Sequence, residues 1–563
     1  MRGHVYIVHG DLTKIAAHAW LMPCDRWPGI ERYWVPEDAP DALKARFEPV
    51  QFDLTGDRPR PSRHTRFHYP GPLPEGWGNV GVRVASMEWP EVAGPRPYLC
   101  NVGGSRRVGA SWYVEGVRQF LEVAGADCCA ATGPRRPARS RPLLALPLVG
   151  TGKGGAQDTK GGMIRALLHF LYEALGQEGP PIDVALVVKD ARMFAAVQAH
   201  RKQLLADGDV PVEAMWGELD DAQRADAARL AEHARRGRLA LFLGAGVSQG
   251  AGLPGWTQLL ERLATLAVFD PDEAEAFRRL DPYDAARILE HRLGGPDVLR
   301  SAIAKELVQP WYSLGHGLLA GLGIREAVTL NYDDLYESAL RAIEANPAVL
   351  PYQPASSSER WVLKMHGCVR HRDEIVLTRR DYLRYSERRA ALAGLVQGLL
   401  ITRHMLFVGF SLSDDNFHRI ADDVRKALGL ERPADGERIV TAEFRGGIAD
   451  QFGTALLLER NGLLEDLWLQ DLDLVPMDRA DDDGLLCAAR RLDIFLDHVG
   501  GCAVSSGSYL LDDTYEALLG AEELQLRAAL LRLRDEIDSI DPKDAEAVGA
   551  VRALLVALGA GSH

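Results

Sequence analysis

No stretch of this 563-residue sequence comes near the roughly 18 consecutive apolar residues that a membrane helix needs. The opening MRGHVYIVHGDLTK has no apolar core of the kind that marks a signal peptide. Cysteine is scarce: seven residues, scattered apart from the adjacent Cys128 and Cys129, with no C-x-x-C pair. That pattern excludes a disulfide framework and a zinc ribbon of ordinary spacing. Excess positive charge is also missing. A formal net charge of -14 argues against a non-specific nucleic-acid binder, which gains affinity by neutralising phosphates with clustered Lys and Arg. The basic run from Arg135 to Arg141 is short and reads as a solvated loop. These absences predict a soluble, cytoplasmic protein in a reducing setting, without membrane or nucleic-acid partners.

What is present is the composition of a globular protein, 47% hydrophobic, 26% charged and 7% aromatic. At about 100–200 residues per domain the length suggests about three units. Short β-branched and apolar runs alternate with helical patterns, as in HVYIVHG, RPYLCNVGG, LLALPLVGTG, IDVALVVKD, LALFLGAG, EAVTLNYD and HMLFVGFS. The alternation predicts an α/β fold with parallel sheets. A polar, Ala-rich helical stretch from about Asp209 to Arg238 sets a first boundary near Asp207, and the small, polar GGCAVSSGS sets a second near Cys502,. The expected organisation is thus 1–207, 208–502 and a helical tail over 503–563. In the tail, Leu526, Leu530, Leu533 and Ile537 form one apolar stripe, suited to docking on the preceding domain or to self-association.

The run LALFLGAGVSQGAGLPGW leads a hydrophobic strand into Gly244, Gly246, Gly250 and Gly252. Glycine lets backbone approach a pyrophosphate closely, and the N–H groups of a helix start supply donors. By itself this loop fits a nucleotide site or a structural turn. Three later segments add to it: VTLNYDDLYE, with Asn331 and Asp333 after a strand; WVLKMHGC, with His366 and Gly367; and LFVGFSLSDDNF, with Gly409 and Ser411. In this order the four resemble the sirtuin family, and the resemblance implies a Rossmann-like domain that binds NAD as substrate. Gly244, Ala245 and Gly246 would cradle the phosphates with Ser248 nearby, Gly409 and Ser411 would line the other side of the cleft, and Asn331 and His366 would carry the chemistry. Asp333 would help hold the nicotinamide pocket, although Asp after a strand is also a common helix cap.

The chain departs from protein-deacylating sirtuins just after His366. Those enzymes carry a four-cysteine zinc module there, whereas GCVRHRDEIVLTRRDYLRY has Cys368 alone, and His366, Cys368 and His371 make a poor ligand trio. No metal is therefore expected. This resembles the divergent bacterial sirtuin-like effectors, which implies NAD hydrolysis to nicotinamide and ADP-ribose in anti-phage defence, and a homo-oligomer. The alternatives are an NAD-dependent deacylase or ADP-ribosyltransferase on the same site, or a non-catalytic NAD or ADP-ribose binding module.

The N-terminal region carries VYIVHGDLTKI, RPYLCNVGGS and LLALPLVGTGKGG, which together resemble macrodomains. A three-layer domain is implied, with Asp11 accepting from an adenine amino group and Gly150, Thr151 and Gly152 wrapping the phosphates of an ADP-ribose-like ligand. Lys153 could add charge. The segment HAWLMPCDRWPGIERYW lacks the asparagine-rich strand end and triple glycine of macrodomain hydrolases, so a sensor or product-binding role is expected instead.

Overall fold

The computed structural model describes residues 3–35, 41–49, 67–89, 94–103, 109–131, 137–152, 155–176, 179–428, 451–468, 470–480, 482–504, 507–539 and 546–560. Lys153, Gly104, Ser105, Arg135 and Arg136 lie outside the described residues. The chain forms two compact units, one made of residues 1–224 with 497–563 and the other of 225–496.

The first unit is built on a six-stranded sheet of β1 (Val5–His9), β2 (Ala19–Cys24), β3 (Val84–Ser86), β4 (Arg96–Asn101), β5 (Leu143–Pro147) and β6 (Asp183–Val188), in the order β1-β6-β5-β2-β4-β3. All pairings are parallel except β3 with β4. Asp183 to Val188 are buried at every position, the unbroken apolar pattern of a strand covered on both faces. The central strand β2 hides in HAWLMPC, where a proline argues against a central strand. Helices α1 (Ala110–Ala130) and α2 (Lys160–Ala174) make the crossovers from β4 to β5 and from β5 to β6 that parallel strands require, and α3 (Ala191–Ala206) follows the last strand.

The C-terminal tail belongs to this first unit rather than to the domain that precedes it in sequence. A 3-10 turn, Asp513–Leu518, lies so close to α2 that a Cβ on Gly161 would stand 3.0 Å from the Tyr515 carbonyl oxygen. Arg165 donates to the Ala517 carbonyl at 2.6 Å, and Arg192 pairs with Asp512 at 3.0 Å. The predicted leucine stripe is split. Leu530 and Ile537 pack in a small cluster with Leu511, Leu555 and Ala560, while Leu526 and Leu533 are 52% and 39% exposed.

The second unit holds a seven-stranded, all-parallel sheet: β7 (Leu239–Leu243), β8 (Glu326–Thr329), β9 (Ala348–Leu350), β10 (Trp361–Lys364), β11 (His404–Val408), β12 (Gly453–Leu457) and β13 (Leu472–Pro476). Its order is β9-β10-β8-β7-β11-β12-β13. The chain moves from β7 to one side of the sheet and then returns to the other, so β7 and β11 flank a topological switch point, where doubly wound sheets leave a crevice at their carboxyl ends. Phe242, Phe407, Phe410 and Phe417 pack around this point with ring centroids 4.7 to 6.1 Å apart.

Candidate active site

Because β10, β8, β7 and β11 are neighbours and all parallel, the segments that follow them emerge together at one edge of the sheet. Those segments are His366, Asn331 to Asp333, Gly244 to Ser248, and Gly409 to Ser411. The four sequence motifs therefore share one place.

The two glycine loops interlock. Gly244 donates to the Val408 carbonyl at 3.0 Å and Gly246 to the Gly409 carbonyl at 2.9 Å. A Cβ on Gly244 would fall 2.3 Å from the Gly409 oxygen, and one on Gly409 would fall 2.4 Å from the Val247 nitrogen. Gly409 also has φ +64°, so both the close approach and the left-handed backbone call for glycine. Ala245 and Gly246 are exposed at the start of a short helix, Ala245–Gln249. The Gly246 N–H is spent on the Gly409 carbonyl. Ser411 is exposed, and its hydroxyl bonds to that of Ser413 at 2.6 Å.

Asn331 is fixed from two sides. Its backbone N–H donates to Thr329 Oγ1 at 3.0 Å, while Nδ2 donates to the Gly244 carbonyl at 3.0 Å and to Ser248 Oγ at 3.2 Å. With both amide hydrogens employed, Oδ1 is the atom it offers as an acceptor. The buried Ser248 hydroxyl donates onward to Asp333 Oδ2 at 2.9 Å. Asp333 Oδ1 accepts from the Leu335 N–H at 3.1 Å, so this residue, rather than Asp334, supplies the side-chain cap of helix α4 (Leu335–Ala342). Asp334 instead accepts from Arg370 Nε at 2.7 Å. Burial raises the Asp333 carboxyl above its ordinary range, against the pull of Lys364.

Lys364, at the end of β10, is fully buried, pairs with Glu337 at 3.1 Å and donates to the Asp333 carbonyl. Burial works against its ammonium, but Glu337, Cys368 and Asp333 outweigh it and raise its proton affinity. Sequence reasoning missed this pair, because a single Lys inside an apolar strand carries no periodic signal.

His366 is 3% exposed. Its Nδ1 lies 3.3 Å from the Tyr382 hydroxyl, and its Nε2 lies 3.4 Å from Asn416 Nδ2 and 3.7 Å from Asp414 Oδ2. The rings of Tyr382 and Tyr385 meet the imidazole edge to face. Burial lowers the His366 pKa, Asp414 raises it and Arg389 lowers it; the net shift is downward. The next residue, Gly367, has φ +93°, and a Cβ there would stand 2.5 Å from the Glu374 oxygen. Tyr382, Asp414 and Asn416 were not anticipated. Asp414 and Asn416 had a weak signal in the S-D-D-N that follows G-F-S, and Tyr382 had none. Among the described residues no group of three or more His, Cys, Asp and Glu is arranged for a metal ion. His371 stacks on Tyr352 at 3.7 Å while His366 faces Tyr382.

In the first unit, Asp11 follows β1 and Gly150 to Gly152 follow β5, again at the carboxyl edge of a largely parallel sheet. Asp11 accepts from the Thr13 N–H at 3.0 Å and pairs with Lys189 at 3.0 Å. Gly150 has φ +81°, and a Cβ there would run into the Tyr113 ring at 2.5 Å. Thr151 is buried and donates to the Leu148 carbonyl at 2.8 Å, and Gly152 is exposed beside Tyr33.

A parallel sheet with interlocked glycine loops at its switch point, and an amide and an imidazole at neighbouring strand ends, defines the class: a Rossmann-like α/β domain with its candidate site at the carboxyl edge of the sheet. More particularly, residues 325–459 match the family model described as a SIR2-like domain. The chain is 33% identical over 211 residues to "NAD(+) hydrolase ThsA" of Enterococcus faecium, covering 36% of this chain and 42% of the relative. It is 32% identical over 194 residues to "NAD(+) hydrolase ThsA" of Bacillus cereus (strain MSX-D12), covering 33% and 40%. It is also 26% identical over 210 residues to "Defense-associated sirtuin 2" of Bacillus subtilis, covering 35% and 20%. The match thus spans about two fifths of the length of the first of these relatives.

Proposed function

We propose that the chain is an NAD glycohydrolase that releases nicotinamide and ADP-ribose, acting as a regulated defence effector. One observation carries this reading: the Asn331 amide and the His366 imidazole stand at adjacent strand ends beside the interlocked glycine loops. The names of the relatives support the same substrate and reaction. Nicotinamide leaves a cationic ring as a neutral molecule, so the bond is already activated and needs no strong acid. The enzyme must hold the sugar as positive charge develops on it and present water. The C1′–N bond breaks with its electron pair going to nicotinamide, water oxygen bonds to C1′, and the water's proton passes to His366 Nε2 and then to solvent. Asn331 Oδ1 would orient the water or a ribose hydroxyl, and Ser248 and Asp333 would hold that amide in place. Gly244, Ala245, Gly246, Gly409 and Ser411 would line the dinucleotide.

The first unit we read as a macrodomain-like domain for an ADP-ribose-like ligand, with Asp11 and the Gly150 to Gly152 loop on the ligand side of the sheet. A ligand that moves the enzyme from about 1% to about 99% active must prefer the active state by about 5.5 kcal/mol. The exposed Leu526 and Leu533 support a self-association face, and an NAD substrate goes with a cytoplasmic setting.

The test is to incubate the purified chain with NAD, with and without ADP-ribose, and to follow nicotinamide and ADP-ribose by chromatography. Nicotinamide release that falls at least a hundredfold in Asn331→Ala and in His366→Ala is expected, from the size of general-base effects of about 10²–10⁴. Release that requires an acyl-lysine peptide would restore the deacylase, and binding of NAD without turnover under all conditions would leave the binding module.

A further inference from the structure

A segment that follows His366 in sequence packs against it. It forms a short helix, Arg379–Leu383, anchored by Arg379 to Asp281 and Asp284, both at 2.7 Å, and by the Tyr283 ring against Tyr382 at 4.2 Å. That anchoring delivers the Tyr382 hydroxyl to His366. The same hydroxyl lies 3.3 Å from Asp414 Oδ2. A carboxylate cannot donate, so the phenol O–H is directed to Asp414, and its lone pair faces His366 Nδ1. Burial pushes the Tyr382 hydroxyl up, which keeps it a neutral donor. Asp414 is held in turn by its own helix, where Oδ1 accepts from the Phe417 N–H at 3.0 Å.

We propose that Tyr382 and Asp414 are positioning residues for His366: the chain Nδ1–H to Tyr382 to Asp414 fixes the imidazole as its Nδ1–H tautomer, leaving Nε2 as the proton acceptor, with Asp414 Oδ2 beside it. Asn416 Nδ2, 3.4 Å from that Nε2, steadies the ring as a donor to it. When Nε2 takes a proton, the imidazolium meets a carboxylate 3.7 Å away in a site screened from water. The other groups facing the ring are the neutral Tyr385 and the Arg389 guanidinium, whose charge opposes protonation. The inference rests on the NAD-cleaving reading for its consequence but not for its geometry.

Two measurements test it on the full chain. Nitrogen NMR of isotope-labelled histidine at neutral pH, with His366→Gln to assign the signal, reads the tautomer without any substrate. The expected result is the Nδ1–H form in the parent chain, with the Nε2–H form appearing in Tyr382→Phe and Asp414→Asn. An Nε2–H form in the parent, or no change in either variant, overturns the proposal. Asp414→Asn keeps a side chain able to cap the helix, and Tyr382→Phe keeps the ring, so both variants are expected to fold. The pH profile of nicotinamide release gives the second readout. A carboxylate within about 4–6 Å typically shifts a partner's pKa by 1–3 units, so the acidic limb of kcat/KM should move down by about one unit in Asp414→Asn. In the same variant kcat should fall at least tenfold at neutral pH with KM little changed. An acidic limb that stays in place overturns the proposal. If the parent chain releases no nicotinamide under any condition, the enzymatic reading fails by itself, and the tautomer still decides the positioning role.

Discussion

At the scale of single residues, the site depends on what Gly409 does not have. Its φ is +64°, and a Cβ added there would stand 2.4 Å from the Val247 nitrogen, so alanine must disturb backbone, not a flexible side chain. A left-handed non-glycine residue costs about 1–2 kcal/mol, and the displaced Gly244 to Val247 turn adds to it. Gly409→Ala is therefore expected to lower the unfolding midpoint of the second unit and to weaken NAD binding measured by calorimetry. Gly398→Ala is the control. It lies in the helix Tyr385–Thr402 with nothing within 4 Å of its Cβ, so it should be neutral or stabilise by up to about 1 kcal/mol. If the two variants behave alike, loop interlock is not what Gly409 provides.

At the scale of elements, β10 and helix α4 are joined by the buried Lys364–Glu337 pair, and Lys364 also holds the Asp333 carbonyl on the turn that carries Asn331. Removing one member of a buried pair leaves an uncompensated charge and typically costs about 3–5 kcal/mol. Lys364→Met is expected to lose that much stability in denaturant titration. Lys364→Met with Glu337→Leu should recover most of it, because apolar replacement of a buried pair is often neutral, yet nicotinamide release should stay low since the Asp333 turn has lost its anchor. Recovery of full activity in the double variant would reduce the pair to a purely structural one. Elements also explain what was legible in the sequence. Strands ending in G-A-G, L-N-Y-D, H-G and G-F-S announced themselves because the apolar run and the glycine or polar break lie next to each other in sequence. The partners that fix His366 come from two segments distant from it in sequence, 379–385 and 414–416, and such convergence has no local pattern. Strand β2 was hidden for another reason: Pro23 argues against a central strand, though its burial at the centre of the first sheet is nearly complete.

At the scale of the whole molecule, the first unit is closed by both ends of the chain, and a leucine stripe could reveal a buried face without revealing what it would meet. The closure is polar as well as apolar. Asp497, fully buried, accepts from Arg201 Nη1 at 2.7 Å and from the Ile7 N–H at 3.3 Å, and lies 2.9 Å from His4 Nε2. Arg201 Nη2 also reaches the Asp497 carbonyl at 3.2 Å. Burial alone would raise the Asp497 carboxyl, but Arg201 and His4 outweigh it and leave its pKa lowered. A depressed carboxyl pKa contributes stability that is present above its unfolded value, about 3.9, and is lost as pH falls through the folded value. Asp497→Ala is expected to destabilise the first unit by about 3–5 kcal/mol, because it strands the Arg201 charge in the interior. A fragment of residues 1–224 alone should be poorly folded by near-ultraviolet circular dichroism and rapidly proteolysed. The same fragment joined by a linker to residues 497–563 should regain protection, while 225–496 expressed alone should fold without either. If 1–224 proves as protected as the linked form, Asp497 and the tail decorate the first unit rather than complete it.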